Sequence, residues 1–129
     1  MIEKRILVID DEQSLREMLQ TYLVSLGYVV KSVEKPAEAL EILQKKRFQL
    51  IITDLSMPEI NGVELCKKIR KNNSLSVIYA LSGYISQYKA EKLDQVGFNG
   101  YLCKPVKLEI LRRAIEGAFD QVDKNDFPD

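Results

Sequence analysis

Three short apolar runs in this chain stop at charged residues, and this pattern constrains the fold more than any other feature of the sequence. Residues 6–9 run into Asp10 and Asp11, residues 50–53 into Asp54, and residues 100–103 into Lys104. In an open parallel sheet, ligands bind in the crevice beyond the carboxyl ends of the strands. Carboxylates gathered there repel one another unless a hard cation lies among them, and a cation beside a lysine suits a phosphoryl group.

Stretches of helical period separate the apolar runs, so the chain is predicted to consist of five successive βα units. With right-handed crossovers, these units form a flavodoxin-like, doubly wound α/β sheet, for which the strand order 2-1-3-4-5 is favoured. The switch point of that order lies between strands 1 and 3, which are the two strands that end in acids. The predicted strands cover residues 6–9, 28–33, 48–54, 77–81 and 100–103.

The predicted helices are marked by apolar residues three or four positions apart. Pro36 begins the second helix although Lys35 before it is a poor cap, Asn61 caps the third, and residues 87–96 form the fourth. The last helix has one apolar face that includes Leu108 and Ala118. The first helix ends at Gly27, and its predicted buried face consists of Leu15, Met18, Leu19, Tyr22, Leu23 and Leu26.

The length and composition fit one globular domain. The chain has 129 residues, of which 46% are hydrophobic, so it can bury one sizeable core. Residues 1–120 are predicted to form this domain, and residues 121–129 a frayed polar tail or the stub of a linker. A stand-alone domain and a domain cut from a larger protein both fit this sequence.

Charge and residue usage exclude several classes of function. Lys+Arg and Asp+Glu both number 19. Because proteins that bind nucleic acid usually have an excess of basic residues, this balance gives no support for a direct nucleic-acid partner. A basic amphipathic helix and an apolar signal region are both lacking, which indicates a cytoplasmic protein with no membrane partner. Cys66 and Cys103 lack metal-ligand spacing and are interpreted as reduced. The sequence contains no histidine, so the chain has no histidine base and could only receive a phosphoryl group from a donor elsewhere.

Four stretches at strand ends resemble the receiver domains of two-component response regulators, and the chemotaxis-regulator-like members of that family in particular. They occur in family order and at family spacing, and the resemblance covers residues 5–119. Four motifs, each at a strand end, are far more specific than a lone pair of aspartates. The stretches are ILVIDDE at 6–12, DLSMPEING at 54–62, LSG at 81–83 and GFNGYLCKP at 97–105.

The resemblance implies a phosphoacceptor site. Asp54 would be phosphorylated as an acyl phosphate, for which a carboxylate is a competent nucleophile. Asp11 and Asp54 would bind Mg²⁺ directly together with the backbone carbonyl of Ser56, while Asp10 would act through a metal-bound water. Lys104 would pair with the phosphoryl oxygens, and the bond from it to Pro105 is typically cis in this family.

The resemblance also implies how the domain switches. Ser82 would hydrogen-bond a phosphoryl oxygen and move when the phosphate arrives, and Tyr101 matches the family's switch aromatic. Ser56 and Tyr84 match the two positions that tune the lifetime of the phosphate. Asn61 stands where aspartate is commoner, but it keeps the capping role.

The implied function is a phosphorylation-controlled signalling switch rather than an enzyme that acts on a separate substrate. A sensor histidine kinase or a phosphotransfer protein would donate the phosphoryl group. The surface built from helix 4, strand 5 and helix 5 would then change its affinity for a downstream protein or a fused output domain. A phosphorylation-dependent homodimer is compatible with this scheme.

Three other functions are weighed against this one. A Mg²⁺-dependent phosphatase with an aspartyl intermediate would carry a second aspartate at the position of Ser56. A flavin-binding module would need a phosphate loop where Asp10 and Asp11 stand, and an unphosphorylated pseudo-receiver would have lost site residues. Taken singly, Tyr101 fits plain core or edge packing as well as it fits a switch role. Glu12 is better interpreted as an acid favoured at a helix N-terminus.

Overall fold

The computed structural model describes residues 3–57, 60–83 and 90–124. Strands and helices alternate along these residues, as the repeated βα pattern predicts. The strands are β1 (Arg5–Ile9), β2 (Val29–Val33), β3 (Leu50–Asp54), β4 (Val77–Ser82) and β5 (Gly100–Cys103). The helices are α1 (Gln13–Ser25), α2 (Pro36–Lys45), α3 (Gly62–Asn72), α4 (Ala90–Val96) and α5 (Leu108–Lys124).

The strands form one parallel sheet in the order β2-β1-β3-β4-β5, so the predicted flavodoxin-like fold is confirmed. All five residues of the central strand β3 are buried, which explains its unbroken apolar sequence. Residues of β2, at one edge, alternate between exposed and partly buried positions up to the buried Val33. The burial pattern of each strand therefore follows from its place in the sheet.

The register of the sheet places two acids side by side. Ile9 of β1 pairs with Thr53 of β3. Asp10 and Asp54 each follow one residue later, so they stand next to each other at the carboxyl ends of these strands. The side-chain alternation of the strands thus leads directly to the geometry of the candidate site.

Apolar side chains pack in one cluster on each face of the sheet. Ile6 and Val8 of β1 point into the cluster that α1 and α5 cover, whereas Leu7 and Ile9 point into the cluster covered by α2, α3 and α4. This two-sided burial is what holds a doubly wound sheet together. Helices α1 and α5 therefore lie on one face of the sheet, and α2, α3 and α4 lie on the opposite face.

The buried face of α1 is narrower than predicted. Leu19 and Leu23 are fully buried, and Leu15 and Tyr22 are partly buried against the core. Met18 and Leu26 are 37% and 38% exposed, so the prediction that they are buried is wrong. Met18 lies at the edge of the apolar stripe and Leu26 caps the helix beyond its last turn, which takes both away from the sheet.

The last helix is longer than predicted. The sequence predicts a frayed polar tail from residue 121, but α5 continues to Lys124. The reason is Val122, which is buried in the cluster shared with α1 and extends the apolar face of Ala118 by one more turn. Leu108, at the other end of α5, is 42% exposed. Within the described ranges, every helix is too short or too polar to cross a membrane.

Both ends of α3 are fixed by hydrogen bonds. The side chain of Asn61 accepts a hydrogen bond of 2.9 Å from the backbone N–H of Glu64, which confirms the predicted cap. At the other end, the Arg70 guanidinium donates to the backbone carbonyls of Ser76, at 2.7 Å, and Gly97, at 2.8 Å. Arg70 therefore ties α3 to the residues at which β4 begins and α4 ends.

Candidate functional site

Three carboxylates and one lysine meet at the carboxyl edge of the sheet, and we call this group the acidic crevice. Asp10, Asp11 and Asp54 each offer a carboxylate oxygen, and these oxygens all lie within 4.8 Å of one another. Lys104 Nζ lies 3.2 Å from Asp10 Oδ2 and 3.3 Å from Asp54 Oδ2. The crevice thus contains these four charged residues, which the sequence places at the ends of three different strands.

Asp10 is the most deeply buried of the three acids. Its side chain has no exposed surface, and Oδ1 accepts a hydrogen bond of 2.8 Å from the backbone N–H of Glu12. Oδ2 is close to Lys104 Nζ, but the contact lacks the alignment of a hydrogen bond. Burial, reinforced by the nearby charge of Asp54, raises the pKa of Asp10, while the Glu12 amide and Lys104 oppose this change.

Both carboxylate oxygens of Asp54 accept hydrogen bonds, and the residue is 4% exposed. Oδ1 accepts a hydrogen bond of 3.1 Å from the backbone N–H of Ser56, and Oδ2 accepts one of 3.3 Å from Lys104 Nζ. Asp11, in contrast, is exposed. The carboxylate of Asp54 is therefore oriented by the protein, whereas that of Asp11 faces the solvent side of the crevice.

Lys104 lies between two carboxylates. Burial by itself lowers the pKa of this ammonium group, but the negative charges of Asp10 and Asp54, together with the hydrogen bond to Asp54, raise it above the usual value. Its side chain is 26% exposed, and the peptide bond to Pro105 is cis. Lys104 thus stays positively charged near neutral pH at the centre of the crevice.

Ser82 and Ser56 border the crevice, while Tyr101 lies apart from it. Ser82 is the last residue of β4 and is buried, and its backbone carbonyl accepts a 2.9 Å hydrogen bond from the N–H of Lys104. Ser56 is exposed beside Asp54. Tyr101 is 45% exposed on the edge strand β5, which excludes core packing. Tyr84 lies outside the described residues.

Two further residues shape the crevice. Arg16 Nη1 donates a 2.7 Å hydrogen bond to the backbone carbonyl of Asp10. Gly62 packs against the end of β3 so tightly that a Cβ there would clash with the backbone of Asp54 and Leu55. The sequence offers no pattern that singles out Arg16 among 19 basic residues. For Gly62, the last residue of the DLSMPEING stretch, the signal was present in the motif.

The donor set of the crevice fits a divalent cation. Three carboxylates against one ammonium leave an excess of negative charge, which a hard cation with oxygen ligands would neutralise. Asp10 Oδ2 is buried and lies 3.2 Å from the Lys104 ammonium, but it accepts no hydrogen bond among the described residues, so it keeps the capacity to interact with a further cation or a water. The residues can therefore hold a metal ion next to an oriented carboxylate.

The sequence of the chain is similar to those of known proteins. The sequence profile described as "Response regulator receiver domain" matches residues 6–116. The "Probable transcriptional regulator ycf27" of Porphyridium aerugineum is 35% identical over 126 residues, which are 96% of this chain and 51% of that protein. "Sensor protein EvgS" of Escherichia coli (strain K12) is 35% identical over 107 residues, which are 83% of this chain and 9% of that protein.

A solved structure matches both the fold and the sequence. The chemotaxis response regulator CheY4 of Vibrio cholerae superposes with a TM-score of 0.84 at 32% identity, and the match covers 91% of this chain and 99% of that one. The ycf27 and EvgS proteins are much longer: the chain spans about half of the first and less than a tenth of the second.

Proposed function

The chain belongs to the response regulator receiver domain family, and from that premise we propose that it is a phosphorylation-controlled switch whose phosphoacceptor is Asp54. The observation that carries the proposal is the pair of contacts that Lys104 Nζ makes with Asp10 and Asp54. These contacts create a site in which an oriented carboxylate, a fixed positive charge and two further acids lie together. A phosphohistidine of a sensor kinase or a phosphotransfer protein is the proposed donor.

The chemistry that this chain supplies is mainly positioning and charge. Phosphoryl transfer requires little from a protein beyond an aligned nucleophile and neutralisation of negative charge. The hydrogen bonds from Ser56 and Lys104 hold the two oxygens of Asp54 in one orientation. That orientation supports attack by a carboxylate oxygen on the incoming phosphorus, with the phosphohistidine nitrogen as the leaving group.

A divalent cation, which we propose to be Mg²⁺, belongs beside Asp54. Asp11 and Asp54 would hold it with the backbone carbonyl of Ser56, and Asp10 would act through a bound water. When bound, the ion supplies the positive charge that lets a phosphoryl anion approach a carboxylate. Asp11 is the exposed member of the three acids, which supports a role in admitting the ion from solvent.

Lys104 and Ser82 are the proposed ligands of the transferred group. The ammonium of Lys104 is paired with two carboxylates, and it would pair with the phosphoryl oxygens after transfer. Ser82 ends β4 beside it and would donate a hydrogen bond. Moving a switch from about 1:99 to 99:1 takes roughly 5.5 kcal/mol of differential stabilisation, and such charge-assisted contacts are of the right size to supply it. Ser56 and Tyr84 are the positions proposed to tune phosphate lifetime.

The proposed output surface lies on α4, β5 and α5. Tyr101, Leu108 and Ile110 are 45%, 42% and 53% exposed, and a cavity of about 270 Å³ lies beside Tyr101 and Ile110. Exposed apolar side chains next to a small cavity suit a protein partner. The partner would be a downstream protein, a fused output domain or a second copy of this domain, in the cytoplasm and without direct nucleic-acid binding.

The proposal is tested with a small phosphodonor. Incubation of the protein with acetyl phosphate and Mg²⁺ is expected to add one phosphoryl group, measured by intact-protein mass spectrometry. The Asp54→Asn variant should remain unmodified, whereas Asp94→Asn, which changes an exposed acid on α4, should be modified like the wild type. Equal modification of the Asp54→Asn variant would remove Asp54 as the acceptor.

A further inference from the structure

A second concave site lies between the C-terminal ends of α2 and α3, and we call it the α2–α3 groove. It encloses about 650 Å³. The residues at these helix ends lead into β3 and β4, so the groove is at the amino end of the strands, opposite the acidic crevice. Its lining comprises Leu40, Leu43, Gln44, Lys45, Lys46, Arg47, Lys68, Ile69, Lys71, Asn72 and Asn73.

The charge of the groove is one-sided. Five of the lining residues are basic and none is acidic, although the whole chain has as many acids as bases. All five basic residues are exposed. Among the described residues, no carboxylate lies within 4.0 Å of any of these five cations, whereas the neighbouring Lys67 pairs with Glu64 at 3.6 Å. The groove therefore concentrates unpaired positive charge.

Helix ends explain only part of this charge. Basic residues are favoured in the last turn of a helix, where they offset the negative end of its dipole. This accounts for Lys45 and Lys71, which lie in the last turns of α2 and α3, and for Lys46, which is the C-cap of α2. Lys68 lies before the last turn of α3, and Arg47 lies beyond α2 in the connection to β3. The helix dipole does not account for these two cations, which are exposed.

The floor of the groove is apolar. Leu40 and Leu43 are partly buried, and Ile69 is 4% exposed, all three against the core beneath α2 and α3. A ligand that enters the groove would thus meet aliphatic side chains below and ammonium or guanidinium groups around the rim. Sites of this kind bind ligands that combine apolar and charged groups.

We propose that the α2–α3 groove binds an acidic peptide segment of a partner protein, with an aliphatic side chain seated on the floor and carboxylates paired with the basic rim. Charge complementarity and the apolar floor both favour this occupant. Single-stranded nucleic acid is disfavoured, because the lining contains no aromatic ring on which a base could stack. A membrane surface is disfavoured, because the aliphatic groups lie at the bottom of a concavity and cannot insert into lipid.

This inference is independent of phosphorylation. The groove and the acidic crevice occupy opposite ends of the sheet, and no residue belongs to both. A peptide bound in the groove should therefore be retained by the Asp54→Asn variant, which separates failure of this inference from failure of the proposed phosphoacceptor.

The test uses three synthetic peptides of equal length. The first carries six glutamates and two leucines, the second replaces the glutamates by glutamines, and the third replaces the leucines by serines. Binding to the full chain is measured by fluorescence anisotropy of labelled peptides and by amide chemical shifts of the isotopically labelled protein. We expect only the first peptide to bind well, with shifts concentrated at the ends of α2 and α3.

Charge reversal in the groove provides the matched comparison. The double variant Lys68→Glu/Lys71→Glu should weaken binding of the first peptide about tenfold or more. Lys67→Glu, a single charge reversal of the same kind one position away from Lys68 and outside the groove, should leave the affinity within about twofold. All the changed residues are exposed, and thermal unfolding verifies that the variants remain folded.

Three outcomes would overturn the proposal. One is the absence of binding by the glutamate–leucine peptide. Another is binding that the double variant and Lys67→Glu weaken equally, because the interaction would then be a general effect of charge. The third is tighter binding of a single-stranded oligonucleotide or of vesicles with anionic lipid, lost in the double variant, which would assign the groove to a different class of partner.

Discussion

Arg16 Nη1 donates a 2.7 Å hydrogen bond to the backbone carbonyl of Asp10, so the first helix fixes the backbone at the point where β1 ends and the acidic crevice begins. Arg16 is partly buried, and it reaches past the turn that carries Asp11. Through this contact, Arg16 helps to set the positions of the Asp10 and Asp11 carboxylates.

Replacement of Arg16 by alanine is expected to weaken binding of Mg²⁺ several-fold. A hydrogen bond from a charged group contributes about 1.5–3 kcal/mol, and its loss would let the backbone between Asp10 and Asp11 move. Isothermal titration calorimetry of the metal-free protein measures the affinity. Arg113→Ala, which removes a 75% exposed arginine on α5, is the control and should bind Mg²⁺ like the wild type; equal affinities for all three proteins would contradict the prediction.

Asp10→Asn is expected to stabilise the metal-free protein at neutral pH. The pKa of Asp10 is raised on folding, mainly by burial. The folded state therefore binds more protons than the unfolded state between the usual value of 3.8 and the raised value, and the free energy of unfolding falls as the pH rises through that window. The Asp10→Asn variant carries an uncharged amide at this position, so its free energy of unfolding does not fall in this way as the pH rises.

The gain from Asp10→Asn should disappear below pH 3.8, where the wild-type carboxyl is protonated in both states. It should also shrink or reverse in saturating Mg²⁺, because the ion stabilises the folded wild type. Urea unfolding at the two pH values, with and without Mg²⁺, measures both effects, and Asp94→Asn is the exposed control. A variant less stable than the wild type at neutral pH without metal would refute the assignment of Asp10 as a buried, unfavourable charge.

A matched pair of glycine substitutions tests the packing at the end of β3. Gly62→Ala should lower the free energy of unfolding by about 1–3 kcal/mol, since its Cβ would overlap the backbone of Asp54 and Leu55. Gly117→Ala, within α5, has nothing within 4 Å of the new Cβ and should stabilise by about 0.5–1 kcal/mol. Denaturant titration measures both, and a Gly62→Ala protein as stable as the wild type would show that α3 can shift at no cost.

Arg70→Ala is expected to lower the free energy of unfolding by about 2–3 kcal/mol. The guanidinium donates to the carbonyls of Ser76 and Gly97 and to Asn99 Oδ1, and its removal leaves these acceptors without their charged donor. Amide hydrogen exchange should rise at the end of α4 and the start of β5. Arg113→Ala again serves as the control, and unchanged exchange at Gly97 and Asn99 would argue against the role assigned to Arg70.

The fold and the core of the site were predictable from local patterns. Alternating apolar runs and helical periods indicated five βα units, and the rule that ligands bind beyond the carboxyl ends of parallel strands brought Asp10, Asp54 and Lys104 together. Asp10 and Lys104, which lie 44 and 50 positions from Asp54 in the sequence, were thereby predicted to be its neighbours in the fold. Right-handed crossovers indicated a doubly wound sheet, and 2-1-3-4-5 was the favoured order among those known for such sheets.

Features that depend on tertiary proximity were not predictable. The basic residues of the α2–α3 groove lie on α2, in the connection that follows it and on α3, and each alone resembles an ordinary solvated lysine or arginine. Met18 matched the apolar period of α1 but lies at the edge of its buried stripe. Arg16 donates to a backbone carbonyl. Every residue has such a carbonyl, so no acidic partner in the sequence indicates the contact.

The two fixed ends of α3 have a mechanical consequence. The N–H of its first residue, Gly62, donates a 3.0 Å hydrogen bond to the carbonyl of Leu55 at the end of β3, and in its last turn Arg70 donates to the carbonyl of Gly97. An 11-residue helix is about 16 Å long and stiff along its axis. A displacement at one end must therefore either carry the other end with it or break one of the two attachments.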